Sequence, residues 1–217
     1  MSTKKRTAIL ISGRGSNMKS LVEASRGADY PAEIVLVASN RPDAAGIGWA
    51  EKQGLRTAVI DHKLFPSREA FETNLQSALE EHGVELIALA GFMRLMTPGF
   101  VERWRDRMIN IHPSLLPSFK GLDTHARAIE AGVKITGCTV HFVRAEMDEG
   151  PIIAQAAVRV LPGDDPETLA ARVLQTEHRV YPAALRLVAA GQAQSKDQKV
   201  TINQHSGETD TLFSPAI

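Results

Sequence analysis

The stretch Thr7–Asn17 reads TAILISGRGSN. Its first five residues are an unbroken apolar run, the pattern of a short strand buried on both faces. Two glycines then interrupt the chain, and a helical pattern runs from Met18 to about Ser25. A buried strand that passes through a glycine turn into a helix suits a sheet whose strands run parallel and are joined by crossover helices.

The same alternation recurs downstream. Ile34-Val-Leu-Val-Ala38 reads as a second strand, closed by Ser39-Asn-Arg-Pro-Asp43. A helix from about Ala44 to Gln53 stops at Gly54, and Thr57-Ala-Val-Ile60 is a third strand. Ser67 is a candidate cap for a long amphipathic helix reaching His82-Gly83. Glu85–Ala90 and Met108-Ile-Asn-Ile111 supply a fourth and a fifth strand. The pattern predicts an α/β fold with a Rossmann-like, doubly wound, mostly parallel sheet.

The second half changes character. Ile135–Val143 and Pro151–Val160 are strand-like, and the loop between them, Arg144–Gly150, carries three acids. They predict an antiparallel C-terminal extension of the sheet. Asp164-Asp165-Pro166 starts a long helix to about Ala190. Residues 1–190 are therefore read as one domain. Residues 191–217 are a polar tail, with one short edge strand expected at Val200-Thr-Ile202 and the remainder loosely held.

Composition narrows the classes. The chain has 217 residues, 43% hydrophobic and 23% charged, with a formal net charge of zero. That is ordinary for a globular protein and gives no global field toward nucleic acid or an anionic membrane. The single cysteine, Cys138, excludes an intrachain disulfide framework and suits a reducing compartment. No apolar run approaches the ~20 residues of a membrane helix. The expectation is a cytoplasmic enzyme acting on small molecules, with no nucleic-acid or membrane partner. Monomer and homodimer both remain open.

In doubly wound sheets ligands sit outside the carboxyl ends of the strands, where strand order reverses. Three stretches should converge there: Ser12–Asn17, Gly91–Arg94, and the end of the fifth strand at Asn110 and His112. The glycine turn has two readings. It is a phosphate cradle at a helix N-terminus, or a tight turn capped by Ser16 or Asn17. It matches neither the GxGxxG nor the P-loop pattern.

Asn110 and His112 lie two apart on a strand, so both side chains leave the same face. They are either a catalytic amide and imidazole or a structural hydrogen-bond cluster that pins the turn at Pro113. An imidazole trades protons near neutral pH, and an amide N–H stabilises an oxyanion. Asp148 alone reads as a turn residue. Ser114 lacks a nucleophile elbow. His125, His141 and His178 lie at no zinc-ligand spacing, so no metal is expected.

Taken together, Ser12–Asn17, Ala90-Gly-Phe-Met-Arg94, Asn110-Ile-His-Pro-Ser-Leu-Leu-Pro117, Gly121-Leu-Asp-Thr-His125, His141-Phe-Val143, Asp148-Glu-Gly-Pro151 and Glu177-His178 occur in the order found in one family. Over about residues 7–190 the chain resembles the phosphoribosylglycinamide formyltransferases, which are folate-dependent enzymes of purine synthesis. The resemblance implies formyl transfer from 10-formyltetrahydrofolate, a co-substrate, to the amine of glycinamide ribonucleotide, without a metal.

It also implies roles. Asn110, His112 and Asp148 match the catalytic trio. Gly15, Ser16 and Asn17 match the phosphate loop, Glu177 a sugar contact, and His125 a histidine near the ribonucleotide. Arg68, Met93, Arg94, Leu95, Met96, Asn110, Val143, Arg144, Ala145, Glu146 and Met147 match the folate pocket. Two positions depart from the family. Asp123 stands where members often carry histidine, and Leu174 where they often carry glutamine.

Three rival readings share parts of this pattern. A methionyl-tRNA formyltransferase is expected to carry a further RNA-binding domain, for which the residues after Gly191 are too few. A formyltetrahydrofolate hydrolase is expected to carry a regulatory domain before the first strand. A non-catalytic phosphometabolite-binding protein on the same fold would not need Asn110, His112 and Asp148 together.

Overall fold

The computed structural model describes residues 4–202. Seven strands form one sheet: β1 (Lys5–Ile11), β2 (Ala32–Ser39), β3 (Thr57–Val59), β4 (Leu86–Leu89), β5 (Met108–His112), β6 (Ile135–Phe142) and β7 (Ile152–Arg159). Their order is β3-β2-β1-β4-β5-β6-β7. The first five are parallel, and β6 and β7 add antiparallel pairings at one edge. The doubly wound sheet with its antiparallel extension is therefore as the sequence predicts. Strand order reverses between β1 and β4.

The apolar run of β1 shows why both faces must be covered. Ile9 and Ile11 enter a core with Met18 and Leu21 of α1 (Ser16–Ser25), Ile47 of α2 (Ala45–Lys52), and Val173, Tyr181 and Leu185 of a long helix at Pro166–Ala189. Ala8 and Leu10 face the other way. They pack with Phe71, Leu75 and Leu79 of α3 (Arg68–Glu81) and Phe100 and Trp104 at α4 (Pro98–Arg103). Alternate residues of one strand feed two separate cores, so a polar residue inside it would be buried on either face.

A further short helix, α5 (Thr124–Glu130), makes the long one α6. Ser67 caps α3 by accepting the Ala70 N–H at 3.2 Å, and Asp165 caps α6 by accepting the Thr168 N–H at 2.8 Å. Inside α6 the buried Tyr181 hydroxyl donates to the Leu89 carbonyl at 2.8 Å, which ties the helix to the end of β4.

Two expectations change. The side-chain cap that one reading of the glycine turn placed at Ser16 or Asn17 is absent: Gly15 takes the N-cap position at φ 69° and no side chain caps α1. The left-handed backbone is one that glycine adopts cheaply, and it leaves the first N–H groups of the helix without a capping side chain. The short strand forms at the expected residues but not at an edge of the main sheet. Lys199–Ile202 (β9) pairs antiparallel with Ala193–Lys196 (β8) in a separate hairpin, not on the main sheet. The rest of the polar tail, 203–217, lies outside the described residues. Helices α4 and α5 were not expected from the sequence.

Candidate active site

The carboxyl ends of β1, β4 and β5 bring the three expected stretches to one edge of the sheet. At the switch point the Ser12 N–H donates to the Gly91 carbonyl at 3.1 Å, so the glycine turn and the turn after β4 are adjacent. The Gly13 carbonyl accepts the Gly46 N–H from α2 at 3.0 Å. A Cβ on Gly46 would stand 2.5 Å from Ile11 Cδ1 and 3.1 Å from the Gly13 carbonyl oxygen. Gly46 is thus the space that lets α2 support the turn.

Asn17 is not a cap but a side-chain donor. Its Nδ2 reaches the buried Glu177 Oε2 at 2.7 Å. Burial raises the Glu177 carboxyl above the ordinary glutamate range, opposed by the Asn17 hydrogen bond and by His112. The Asn17 Oδ1 is buried with no protein donor among the described residues, so it is an acceptor open to a ligand or to water. A groove of about 670 Å³ between α1 and α6 adjoins the turn, lined by Arg14, Ser16, Lys19, Ser20, Leu174 and His178 among others.

At the end of β5 the polar side chains close into a cluster around Asp148. His112 Nδ1 stands 3.5 Å from Asp148 Oδ2, both side chains almost fully buried. His112 Nε2 donates to the Phe119 carbonyl at 3.0 Å. Asp148 is held in turn: its Oδ2 accepts the Gly121 N–H at 2.9 Å, and its backbone is left-handed at φ 57°.

Asn110 lies opposite His141 in the β5–β6 ladder. His141 Nδ1 stands 2.9 Å from the Phe142 carbonyl, which can only accept, so the proton belongs on Nδ1. His141 Nε2 then accepts from Asn110 Nδ2 at 3.3 Å. Burial lowers the His141 pKa and keeps the ring neutral, which suits that acceptor role. One N–H of the Asn110 amide is thereby used and the amide oriented, with the second N–H left for other partners. His141 Nε2 is 4.0 Å from Asp148 Oδ1, which completes the ring of groups.

Thr139 and Gln155, which the sequence reading did not single out, help to fix the loops bearing these groups. Thr139, buried on β6, donates to the Ser114 carbonyl at 2.7 Å and accepts the Leu116 N–H at 3.0 Å. Gln155 donates to the Leu116 carbonyl at 2.9 Å. The proline-flanked loop is therefore pinned from below as well as stiffened by composition. Gly150 permits the Asp148 loop to lie on β6, since a Cβ there would sit 1.6 Å from the Phe142 carbonyl oxygen. The glycine two residues after Asp148 was the available signal; a buried threonine in a strand gives none.

The remaining candidate residues spread around this edge. Met93 and Leu95 are exposed, Met96 is buried, and Arg94 lies over the Phe71 ring at 5.1 Å. Arg68 is exposed at the start of α3, and Val143 packs against the second core. Ala145, Glu146 and Met147 are exposed. Arg144 turns its guanidinium away, to Asp106 Oδ1 at 2.6 Å and to Ser195 on the β8–β9 hairpin at 3.1 Å. The side chain thus anchors this loop, and only its backbone is left to face a ligand.

His125, on α5, has its pKa lowered by burial and secondarily by His112. Asp123 is the exposed N-cap of α5, in left-handed backbone at φ 55°. Cys138 is buried in β6 and its thiol is pushed up to about 12, chiefly by burial. A second groove, of about 620 Å³, lies beside Asp148 and Gly150 and reaches Lys199 and Val200. Among the described residues no cluster of His, Cys, Asp or Glu is arranged to hold a metal ion. No helix among them is long and apolar enough to cross a membrane.

An amide, a histidine and a carboxylate thus meet at a strand end, beside a glycine turn at a doubly wound switch point. The family described as formyl transferase matches residues 5–185, and the chain belongs to that family. More narrowly, it is 40% identical over 193 residues to the phosphoribosylglycinamide formyltransferase of Haemophilus influenzae, covering 89% of this chain and 91% of that protein. The crystal structure of glycinamide ribonucleotide transformylase 1 from Symbiobacterium toebii superposes with a TM-score of 0.90 at 44% identity, covering 93% of this chain and 95% of that one. The chain is also 50% identical over 188 residues to the trifunctional purine biosynthetic protein adenosine-3 of Bos taurus, covering 87% of this chain but only 19% of that protein's length.

Proposed function

We propose that the protein transfers the formyl group of 10-formyltetrahydrofolate to the amine of glycinamide ribonucleotide, giving formylglycinamide ribonucleotide and tetrahydrofolate. The observation that carries this reading is the Asn110–His141–Asp148–His112 cluster at the end of β5. Family membership and the likeness to the two formyltransferases over nearly their whole length support it.

The amine attacks the formyl carbon, forming a C–N bond and placing negative charge on the former carbonyl oxygen. The free N–H of Asn110 stabilises that charge, together with the His112 imidazolium. Each nitrogen of the His112 ring faces an acceptor, the Phe119 carbonyl and Asp148. The doubly protonated ring is the form that satisfies both. The intermediate collapses by breaking the bond from carbon to N10 of folate. The amine loses one proton and N10 gains one, carried by His112 or by a water held at Asp148. No covalent enzyme intermediate and no metal enter this scheme.

The glycine turn, with Gly15, Ser16 and Asn17, would take the ribonucleotide phosphate on N–H groups that no side chain caps. Glu177, held by Asn17, would accept from the sugar hydroxyls, and His125 would lie near the same substrate. Arg68, the 93–96 turn, Val143 and the 144–147 loop would form the folate pocket. Residues 1–190 would act as the catalytic unit of a cytoplasmic enzyme, as monomer or homodimer, with only small-molecule partners.

The test is a formyl-transfer assay with purified protein. Formylated amide should appear only when both substrates are present. Binding of both without turnover would replace this reading by that of a phosphometabolite-binding protein.

A further inference from the structure

The mechanism leaves the Ser12 hydroxyl unused, yet Ser12 is 5% exposed and fully engaged at the switch point. Its Oγ donates to Asn40 Oδ1 at 2.6 Å. The same oxygen accepts the Met93 N–H at 2.8 Å. Asn40, itself 3% exposed, follows the end of β2, and its carbonyl accepts from His62 Nδ1 at 2.8 Å. With the hydroxyl hydrogen directed at Asn40 Oδ1, the Ser12 oxygen is free to accept from Met93. The Ser12 backbone N–H adds a second tie, to the Gly91 carbonyl at 3.1 Å.

The turn held in this way is exposed. Met93 is 68% and Leu95 60% exposed, so the turn presents apolar side chains that its own packing does not hold. Its far end is fixed by buried Glu72, which accepts the Thr97 N–H at 2.6 Å and the Thr97 hydroxyl. Only the near end is shared with the glycine turn.

We propose that Ser12 is a positioning residue whose hydroxyl sets the Gly91–Met96 turn from the glycine turn, so that one side chain aligns the folate side of the site with the ribonucleotide side. The proposal rests on the formyl-transfer reading for its kinetic consequence. Its structural consequence stands without that reading. Removing the hydroxyl takes the Ser12 partner from the Met93 N–H and from the buried Asn40 Oδ1 and loosens the turn at Met93, while the Ser12 N–H keeps its tie to the Gly91 carbonyl. The glycine turn keeps its support from Gly46.

The experiment compares wild type, Ser12→Ala, Ser12→Thr and Asn40→Ala in the full chain. Amide hydrogen exchange at Met93 is measured alongside the KM for each substrate. Ser12→Ala should raise Met93 exchange and raise the KM for 10-formyltetrahydrofolate about five- to ten-fold, the scale of one lost hydrogen bond. The ribonucleotide KM should stay within about two-fold, and Ser12→Thr should restore both readings. Asn40→Ala keeps the hydroxyl but not its orientation and should give a smaller change of the same kind, which serves if Ser12→Ala does not fold. Unchanged Met93 exchange in a folded variant, or equal loss for both substrates without rescue by threonine, overturns the proposal. A wild type that turns nothing over but shows the exchange pattern would count against the formyl-transfer reading and leave the role of Ser12 in place.

Discussion

The two halves of the site are built from different materials. The β1–β4 half offers mostly backbone: a glycine turn, helix N–H groups, and a second turn pinned at Met93 and Thr97. The β5–β7 half offers side chains, Asn110, His112, His141 and Asp148, each oriented by a neighbour. Parallel strands with crossover helices expose N–H groups at their carboxyl edge. The antiparallel edge instead brings side chains of β5 and β6 into opposition, so that they orient one another. Under the proposed function the first half holds the substrates and the second transfers between them. Substitutions should therefore separate, with KM effects on one side and kcat effects on the other.

The largest effect should come from Gly150→Ala. Its Cβ would meet the Phe142 carbonyl, a backbone atom that cannot swing aside. The Asp148 loop must then lift off β6. Activity should fall below detection, with a lower Tm, and wild-type kcat in this variant would break the account of the loop. Next, Asn110→Ala removes one donor from the developing charge, and kcat should fall about a hundred- to a thousand-fold with both KM values little changed. A rise in KM alone would move Asn110 from the reaction to binding.

On the holding side, Gly15→Ala forces a side chain into left-handed backbone and brings its Cβ to 2.9 Å from the flexible end of Met18. The strain is about 1–2 kcal/mol. The ribonucleotide KM should rise roughly ten-fold while kcat holds, since that strain corresponds to about a decade in an equilibrium constant. Loss of kcat instead would blur the division between the halves.

The smallest effect concerns stability. The folded pKa of Glu177 is raised by burial, so its protonated carboxyl stabilises the fold below the ordinary glutamate range. That contribution is lost as pH rises through the raised value. Glu177→Gln cannot ionise and keeps it. The Tm of the variant relative to wild type should therefore increase from acid to neutral pH, and a pH-independent difference would show that Glu177 carries no such shift.

How much was legible follows the same division. Continuous apolar runs announced β1, β2 and β4, because a strand buried on both faces has no polar alternation to hide it, and β5 showed as apolar residues around Asn110. The caps at Ser67 and Asp165 were equally plain. Helices α4 and α5 escaped because six or seven residues carry too little period to stand out. The pairing of Asn110 with His112 was readable from strand geometry. Asp148 was not, except through resemblance, because it reaches His112 only after a loop closes across β6. The contacts of Ser12, Thr139, Gly121 and His141 join segments far apart in the chain, and no local pattern marks such contacts.

The most direct test of the whole account is a single-turnover measurement on His112→Ala, with both substrates saturating and their binding measured in the same preparation. The account predicts both substrates bound at near wild-type affinity and a chemical step slowed about a thousand-fold, within the range for loss of a positioned acid–base group. A chemical step near the wild-type rate would contradict it, and so would a loss of ribonucleotide affinity as large as the loss of rate.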